Sequence, residues 1–195
     1  MIGIDVGGAN VKFVDEDGVC IHYCPLWEGA PLAELLSAGK KTGDENAAVV
    51  MSGELADCFS GKQQGIDFIV RTVKKVFPGA RFYGMDAAFH DGPVPELAAA
   101  NWLASADFLR ERYPGAVLLD VGSTTADIIP LAGFDRLCGL TDLKRLQKGY
   151  LLYTGMLRTP VATLVSSISL DGITTPVSTE YFASTADVHL VLGHI

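Results

Sequence analysis

The sequence predicts an α/β protein built around a β-hairpin that occurs twice. Short apolar stretches alternate with amphipathic segments of helical period, which favours a sheet covered by helices. The tripeptide Asp-Val-Gly ends an apolar stretch at residues 5–7 and again at residues 120–122. Because hydrophobic residues make up 49% of the 195-residue chain and charged residues only 19%, the chain can bury a substantial core.

The first part of the chain is expected to form a three-stranded antiparallel meander, followed by further strands and helices. Apolar patterning predicts the meander strands over 2–6, 10–15 and 19–24, with turns at Gly7-Gly8 and at residues 15–18. Beyond it we expect a strand, a helix, a strand and a helix, over 48–51, 61–76, 80–84 and 95–113. Pro114-Gly115 ends the last of these helices, so residues 1–115 are predicted to form a first domain.

The opening pattern of the chain then occurs a second time. Residues 117–129 repeat the pattern of residues 2–14, in which an apolar strand ends in Asp-Val-Gly and a small, polar turn returns into another apolar strand. An internal repeat of this kind is a fold-level signal. We therefore expect residues 116–195 to form the start of a second, truncated domain. Its further predicted elements are a helix near 142–148, a strand near 150–154 and a last helix near 178–192.

Charge and the lack of targeting segments limit the function classes. The net charge of −8 and the absence of any run of lysines or arginines argue against nucleic acid or an anionic membrane as the partner. No stretch reaches about 18 consecutive apolar residues, and the first residues do not resemble a signal peptide. We therefore expect a soluble, cytoplasmic protein with reduced cysteines, whose partner is a small molecule.

Both predicted hairpin turns have residue types that bind a phosphate. Backbone N–H groups that converge at a tight turn bind an oxyanion, and glycine lets the main chain approach it closely. Hydroxyl groups add donors at the second turn, and the lysine after the first turn adds a compact positive charge. The predicted phosphate-binding residues are Gly7, Gly8, Asn10 and Lys12 in the first hairpin and Gly122, Ser123, Thr124 and Thr125 in the second.

Asp5 and Asp120 end the first strand of each hairpin and are the predicted metal ligands. Mg²⁺ prefers carboxylate and phosphate oxygens, so both residues can hold this ion beside a bound phosphate. A single Asp-Val-Gly would be explained as an ordinary exit from a strand into a turn. Two copies with matching flanks favour a binding site instead, and they predict that both hairpins face one cleft.

Other sequence features carry less weight. Cys20, His22 and Cys24 alternate along one predicted strand and would share a face, as in a zinc site, but no fourth ligand is evident. We interpret them as a partly buried strand with incidental thiols. The sequence contains neither a Gly-x-Ser-x-Gly elbow nor a Walker-type glycine-lysine loop, so serine hydrolases and P-loop enzymes are excluded.

Residues 4–12 and 119–127 resemble the two phosphate motifs shared by acetate kinases, sugar kinases, heat-shock chaperones and actin. Within this superfamily, residues 120–130, 153–160 and 180–189 together resemble the hydantoinase A/oxoprolinase-like branch, and in particular the proteins of tetrahydromethanopterin-linked one-carbon metabolism. The resemblance implies an actin-like (RNase H-like) two-lobe ATPase fold whose second lobe is incomplete in this chain. Superfamily members also carry a glycine-rich adenosine motif, which is absent from this sequence, so no residue is assigned to adenine.

The same branch includes the synthase that forms the furan–phenol ether of methanofuran-type cofactors. The resemblance thus implies a Mg²⁺-dependent transferase that joins a furanylmethyl diphosphate to the phenol oxygen of tyramine or glutamyl-tyramine and releases pyrophosphate. Asp120 would act with the metal ion, and Arg158 would bind a phosphate or carboxylate group. Glu180 and Asp187 lie seven residues apart on the predicted last helix, and either would accept the phenol proton.

Two alternative functions stay open from the sequence. One is an ATP-dependent kinase or a hydantoinase/oxoprolinase-like amidohydrolase of the same superfamily, which would need the adenosine motif. The other is a non-catalytic, phosphate-binding, actin-like scaffold, which would bind its ligand without turnover. A sheet that stops after a few strands leaves an open edge and an uncovered apolar face, so we also expect self-association or exposed apolar surface near the last helix.

Overall fold

The computed structural model describes residues 1–41, 43 and 45–195, which form two compact units. The first unit comprises residues 1–114 together with 133–140, and the second comprises residues 115–132 and 141–195. Each unit has its own sheet and is described separately below.

The first unit contains a six-stranded mixed sheet. Its central strand pairs antiparallel with the second strand and parallel with the fourth, so the strand order is β3-β2-β1-β4-β5-β6. The antiparallel meander of the first three strands is confirmed. The strands are β1 (Ile2–Val6), β2 (Asn10–Asp15), β3 (Gly18–Tyr23), β4 (Ala47–Met51), β5 (Arg81–Tyr83) and β6 (Phe89–His90).

Three α-helices accompany this sheet: α1 (Leu32–Gly39), α2 (Lys62–Val76) and α3 (Asn101–Arg110). The strands β1, β2 and β4 alternate buried and more exposed residues, as expected for strands with one face against the core. The buried residues of these strands form one apolar cluster with α1 and α2. This core fixes the direction of β1 and β4, whose carboxyl ends lie side by side because the two strands are parallel.

One predicted helix of the first unit needs correction, and one helix was not predicted. The helix expected over 95–113 is a 3-10 turn at Pro95–Leu97 followed by α3, because Ala99 adopts a positive φ of 50° that interrupts the helix. Helix α1 lies between the predicted meander and the strand predicted over 48–51, where no element was expected.

The segment 133–140, predicted to lie in the second domain, packs with the first unit. Phe134 and Leu137 are buried, and the Arg110 guanidinium lies 4.1 Å from the centre of the Phe134 ring. The Gly139 N–H also donates to the Met85 carbonyl at 2.7 Å. These contacts explain why residues 133–140 belong to the first unit, although the residues on both sides of them belong to the second.

The second unit contains a three-stranded antiparallel sheet of order β7-β8-β9 and a separate two-stranded hairpin. Its first helix begins after Thr141, whose side chain accepts from the Lys144 N–H, and ends at Gly149 with a φ of 71°. The elements are β7 (Val117–Val121), β8 (Ala126–Pro130), α4 (Asp142–Lys148), β9 (Leu151–Leu152), β10 (Ser167–Leu170), β11 (Ile173–Pro176) and α5 (Thr185–Val191).

The last helix is shorter than predicted and leaves apolar side chains uncovered. It begins at Thr185 rather than near residue 178, because Ser184 and Asp187 form a capping box that sets its first turn. No residue of α5 is buried, and Leu190 and Val191 are 64% and 86% exposed. The expected apolar surface near the last helix is therefore present. Among the described residues, no helix is both long enough and apolar enough to cross a bilayer.

Candidate functional site

The turn of the first hairpin leaves backbone donors available for an anion. It is closed by one hydrogen bond, from the Gly7 N–H to the Asn10 carbonyl at 2.9 Å. The N–H groups of Gly8 and Ala9, at the tip, donate to no backbone carbonyl within the described part of the chain. Adjacent N–H groups of this kind form a concave donor site that suits a phosphate oxygen.

The turn of the second hairpin has the same geometry. The Gly122 N–H donates to the Thr125 carbonyl at 2.8 Å, and the N–H groups of Ser123 and Thr124 donate to no backbone carbonyl of the described residues. Ser123 and Thr124 also carry hydroxyl groups at the tip, whose oxygens lie 3.5 Å apart. The sequence repeat is therefore also a repeat of local backbone structure.

The repeat extends to the segment that follows the third strand of each meander. After β3, the Leu26 N–H donates to the Gly8 carbonyl at 2.9 Å, and after β9 the Leu157 N–H donates to the Ser123 carbonyl at 3.0 Å. In both segments a backbone N–H thus binds the carbonyl of a tip residue, which fixes the orientation of the neighbouring peptide groups. This extension was not predicted, because the two segments share little sequence.

Two glycines outside the turns allow the backbone to pack against them. A Cβ on Gly155 would lie 2.5 Å from the Ser123 carbonyl, and a Cβ on Gly53 would lie 2.8 Å from the Gly7 carbonyl. Real Cβ atoms do not approach oxygen so closely, so each position requires glycine. The role of Gly53 was not predicted from the sequence. Gly53 follows β4, and the carboxyl end of β4 lies beside that of its parallel neighbour β1, so the residue is brought next to the first turn.

Asp5 and Lys12 face each other across the first hairpin. They are register partners, and Lys12 Nζ lies 2.8 Å from Asp5 Oδ2. Asp5 Oδ1 is buried and accepts no hydrogen bond from the described residues. Lys12 is about half exposed, with 48% of its side-chain surface accessible, so its ammonium group remains accessible to an anion.

Asp120 occupies the position of Asp5 in the second hairpin, and its register partner is Asp127. Asp120 is exposed, whereas Asp127 forms an ion pair with the buried side chain of Arg145. Arg145 also lies 3.3 Å from Asp142. Burial lowers the pKa of Arg145 to about 10, which still leaves the guanidinium protonated at neutral pH. Asp127, Asp142 and Arg145 were not among the predicted site residues.

The donor set is compatible with Mg²⁺. The orphaned Asp5 Oδ1 and the exposed Asp120 carboxylate are hard oxygen ligands, which this ion prefers. The described residues contain no group of three metal-binding side chains, so a bound Mg²⁺ would take most of its ligands from water and phosphate, as it commonly does. Asp5 belongs to the first unit and Asp120 to the second, and their shared role stays a prediction.

The proposed catalytic side chains lie in different surroundings. The Arg158 N–H donates to the Ser123 carbonyl at 2.9 Å, so its backbone is fixed at the second turn while its side chain is exposed. Glu180 is exposed and precedes α5, so the prediction that it shares a helical face with Asp187 is wrong.

Asp187 has a structural role at the start of α5. Its carboxylate accepts from the Ser184 N–H at 2.7 Å and from the Ser184 hydroxyl at 2.9 Å. These two hydrogen bonds lower the pKa of Asp187, the backbone bond contributing most. A carboxylate so stabilised is a weaker base, so Asp187 is the weaker of the two predicted bases.

The thiols of Cys20 and Cys24 differ in burial. Cys20 Sγ lies 3.1 Å from His22 Nε2 on β3, but Cys24 lies beyond the end of that strand and is buried. Burial raises the pKa of the Cys24 thiol, which disfavours the thiolate form that a metal requires.

A cavity of about 720 Å³ lies on the face of the first sheet that points away from the main core. Its walls are mostly apolar, and it reaches Asp5 and Lys12 at one end and α3 at the other. On the α3 side, the Tyr83 hydroxyl donates to Asp107 at 2.7 Å, and Asp107 also binds Arg110 at 2.7 Å. This cavity was not predicted from the sequence, because α3 was not assigned to a face of the sheet.

Comparison with known proteins identifies the relatives of this chain. Residues 45–195 match the family model of the hydantoinase/oxoprolinase proteins. A protein of Methanocaldococcus jannaschii named (4-{4-[2-(gamma-L-glutamylamino)ethyl]phenoxymethyl}furan-2-yl)methanamine synthase is 37% identical over 206 aligned residues, which cover 100% of this chain and 62% of that protein. A protein of the same name from Methanococcus vannielii is 48% identical over 79 residues, covering 40% of this chain and 36% of that protein.

The residues matched by the family model include the second hairpin and the segment after β9 that hydrogen-bonds to its turn. This chain spans 62% of the length of the Methanocaldococcus jannaschii relative. The match to the family model covers well over half of the chain and agrees with the mixed α/β architecture described above. The chain therefore belongs to the hydantoinase/oxoprolinase family.

Proposed function

We propose that this chain carries the diphosphate-binding part of a Mg²⁺-dependent transferase that makes a furan–phenol ether for a methanofuran-type cofactor. The donor would be a furanylmethyl diphosphate, and the acceptor would be the phenol oxygen of tyramine or glutamyl-tyramine. The similarity to two proteins named as synthases of such an ether supports this assignment.

The observation that carries the proposal is the pair of matching hairpin turns. Each turn has two tip N–H groups that donate to no backbone carbonyl among the described residues. An anion with two phosphate groups offers many acceptor oxygens, so it suits a protein with two such turns. The half-exposed Lys12 adds a positive charge at the first turn.

The chemistry requires stabilisation of a leaving group. The bond between the furanylmethyl carbon and the diphosphate oxygen breaks, a bond from that carbon to the phenol oxygen forms, and the phenol proton passes to a base. The electron pair of the broken bond leaves with the diphosphate, so donors aimed at its oxygens lower the barrier. The turn N–H groups, Lys12 and Arg158 are the proposed donors, and Glu180 is the proposed base.

Mg²⁺, held by Asp5 and Asp120, would supply additional positive charge to the leaving diphosphate. The buried Asp5 Oδ1, which accepts no hydrogen bond among the described residues, supports this placement. The protein itself orients the diphosphate through the turn backbone and Lys12. We also propose that the two units correspond to the lobes of an actin-like fold, since each begins with an antiparallel meander whose first turn has the same backbone geometry.

The decisive experiment is incubation of the protein with furanylmethyl diphosphate, tyramine and Mg²⁺. We expect release of pyrophosphate together with an ether product detected by mass spectrometry, and neither without the amine acceptor. Hydrolysis of the diphosphate at equal rates with and without tyramine would contradict the transferase assignment.

The family match favours one second candidate, an ATP-dependent amidohydrolase of the hydantoinase/oxoprolinase type. The same turns would then bind the phosphates of ATP. Saturable binding of ATP that competes with pyrophosphate, combined with ATP hydrolysis in the presence of a cyclic amide, would favour this candidate over the transferase.

A further inference from the structure

The cavity of the first unit has one wall from the sheet and one from α3. The residues that α3 and its C-cap contribute are Ala104, Asp107, Phe108 and Glu111. Their spacing of i, i+3, i+4 and i+7 places them along one side of the helix. The facing wall includes residues of the four neighbouring strands β2, β1, β4 and β5, which together span about 14 Å at the usual strand spacing. All of these elements belong to the first unit, and a volume of about 720 Å³ is typical of a small-molecule site.

The walls of this cavity suit an aromatic ring. Tyr83, Phe89 and Phe108 line it, and the rings of Tyr83 and Phe89 meet edge to face with 5.4 Å between their centres. Phe108 is 81% exposed, so a ring bound beside it would remove a large apolar side chain from water. These walls favour a flat apolar group over a sugar or a phosphate.

The charged side chains of the cavity are balanced at every position except one. Asp5 pairs with Lys12 at 2.8 Å, and Asp107 pairs with Arg110 at 2.7 Å. Glu111 is exposed and forms no ion pair and no side-chain hydrogen bond with another residue in the described part of the chain. The cavity therefore carries one uncompensated negative charge, at its α3 end.

The surroundings of Glu111 strengthen its preference for a cation. Glu111 directly follows the last residue of α3, where the carbonyl ends of the peptide dipoles add negative potential. The neighbouring arginines are engaged elsewhere, since Arg110 also lies 4.1 Å from the centre of the Phe134 ring and Arg112 lies 5.6 Å from that of Tyr113. A ligand with a positively charged group would complement this end of the cavity.

The opposite end of the cavity offers a hydrogen-bond donor. An ammonium group has three N–H donors, and Lys12 is within hydrogen-bonding distance of one oxygen of Asp5. Lys12 is about half exposed, so its remaining donors can reach a hydroxyl oxygen. The cavity thus has a donor at one end, aromatic walls in the middle and a carboxylate at the other end.

We propose that this cavity binds an aromatic primary amine, with its ammonium group at Glu111, its ring beside Phe89 and Phe108, and a phenol oxygen at Lys12. Such a ligand is the phenolic amine that accepts the furanylmethyl group, so the inference rests on the proposed function and assigns the acceptor site. Glu111 is the residue that selects the amine. The phenol oxygen would lie on the first hairpin, two strand positions from the turn that is proposed to hold the diphosphate.

The test is calorimetric titration of the whole chain with tyramine, para-ethylphenol and phenethylamine, without Mg²⁺ or diphosphate. Para-ethylphenol lacks the amine and phenethylamine lacks the hydroxyl, so tyramine should bind more tightly than either. Glu111→Gln should weaken tyramine about 5-fold and leave para-ethylphenol unchanged, because only tyramine uses the charge. Glu34→Gln is the matched control, since Glu34 is exposed on α1 and does not line the cavity.

A second pair of variants tests the apolar part of the site. Ala104→Leu fills space next to the sheet, so it should weaken tyramine and para-ethylphenol alike. Ser105→Leu adds the same side chain to the next residue of α3, which is exposed and does not line the cavity, and it should bind both ligands as the wild type does. Thermal melts establish that each variant is folded, and the exposed position of Glu111 keeps its test independent of the packing of α3.

Three results would overturn the inference. They are equal affinity of the wild type for tyramine and para-ethylphenol, wild-type tyramine affinity in Glu111→Gln, and wild-type affinity for both ligands in folded Ala104→Leu. These measurements need no turnover, so tyramine binding that follows the expected pattern without any ether formation would reject the proposed function only. Ether formation with an unchanged KM for tyramine in Glu111→Gln and Ala104→Leu would reject only this acceptor site.

Discussion

At the scale of single residues, a substitution of Asp120 distinguishes a metal-binding role of this residue from a structural one. Its carboxylate is exposed, takes part in no ion pair found among the described residues, and faces Asp127 across the ladder. Asparagine at this position keeps the shape but removes a like-charge contact. Asp120→Asn should therefore leave the melting temperature unchanged or slightly higher while Mg²⁺-dependent pyrophosphate binding falls. A strong fall in melting temperature with intact binding would instead make Asp120 a structural strand-end residue.

The lowered pKa of Asp187, at the start of α5, predicts that the stability of the protein depends on pH. Hydrogen bonds from Ser184 lower its pKa below the ordinary value of 3.8, so the folded protein favours the charged form more than the unfolded chain does. The stabilisation is present above about pH 4 and is lost as the pH falls through the lowered pKa. Asp187→Asn should be less stable than the wild type at pH 6, and the difference should shrink in thermal melts at pH 3. A difference that is as large at pH 3 as at pH 6 would contradict this account.

At the scale of secondary-structure elements, the turns depend on segments that pack behind them. The segment after β9 approaches the second turn so closely that only glycine fits at position 155. Gly155→Ala would force backbone atoms apart and should destabilise the second unit by about 1–3 kcal/mol in chemical denaturation. Pyrophosphate affinity should fall with it, because the carbonyl of Ser123 would move.

Gly115→Ala is the matched control for this change. Gly115 belongs to the same unit, has no positive φ, and a Cβ there would meet no atom within 4 Å. Its effect should stay within about 0.5 kcal/mol. Equal stability of the two alanine variants would show that the backbone contact at Gly155 does not support the turn.

Local patterning predicted the elements with strong short-range signals. The meander strands, α2, α4 and both hairpins follow directly from apolar alternation, helical period and turn residues. The limits of α5 were missed because the serine and aspartate that cap it also fit the interior of a polar helical face. The break at Ala99 was missed for a similar reason, since alanine is a good helix former and its positive φ is imposed by the fold.

The candidate site was predicted only where its residues lie next to each other in sequence. The turns and the aspartates before them have a recognisable local sequence pattern. Lys12 was predicted as well, because it follows the first turn and pairs with Asp5 in the hairpin. Arg145 comes from a helix that begins 15 residues after Asp127, so its contact depends on tertiary packing. Gly53 depends likewise on the parallel pairing of β4 with β1. No local pattern reports such contacts.

At the scale of the whole molecule, the second unit exposes much apolar surface. The edge strand β7 presents Val117, Leu119 and Val121 with 52–65% of each residue accessible, and α5 adds further exposed apolar side chains. An edge strand with unpaired backbone groups and apolar side chains is a template for association.

We therefore expect the isolated chain to self-associate. Light scattering coupled to size-exclusion chromatography should show a mass above 20.7 kDa that rises with concentration, and Leu119→Lys should reduce it. Substitution of Lys62, which begins α2 in the first unit, by glutamate is a charge-changing control that should leave the mass unchanged. A single species of monomer mass over the full concentration range would contradict this expectation.

The most direct test of the central claim is the stoichiometry of pyrophosphate binding to the wild-type chain in the presence of Mg²⁺. If both hairpins serve one magnesium diphosphate, calorimetric titration should give one pyrophosphate per chain, and binding should weaken sharply when Mg²⁺ is removed. Two independent pyrophosphate sites per chain, or binding that does not respond to Mg²⁺, would contradict the claim that the duplicated hairpins form a single diphosphate site.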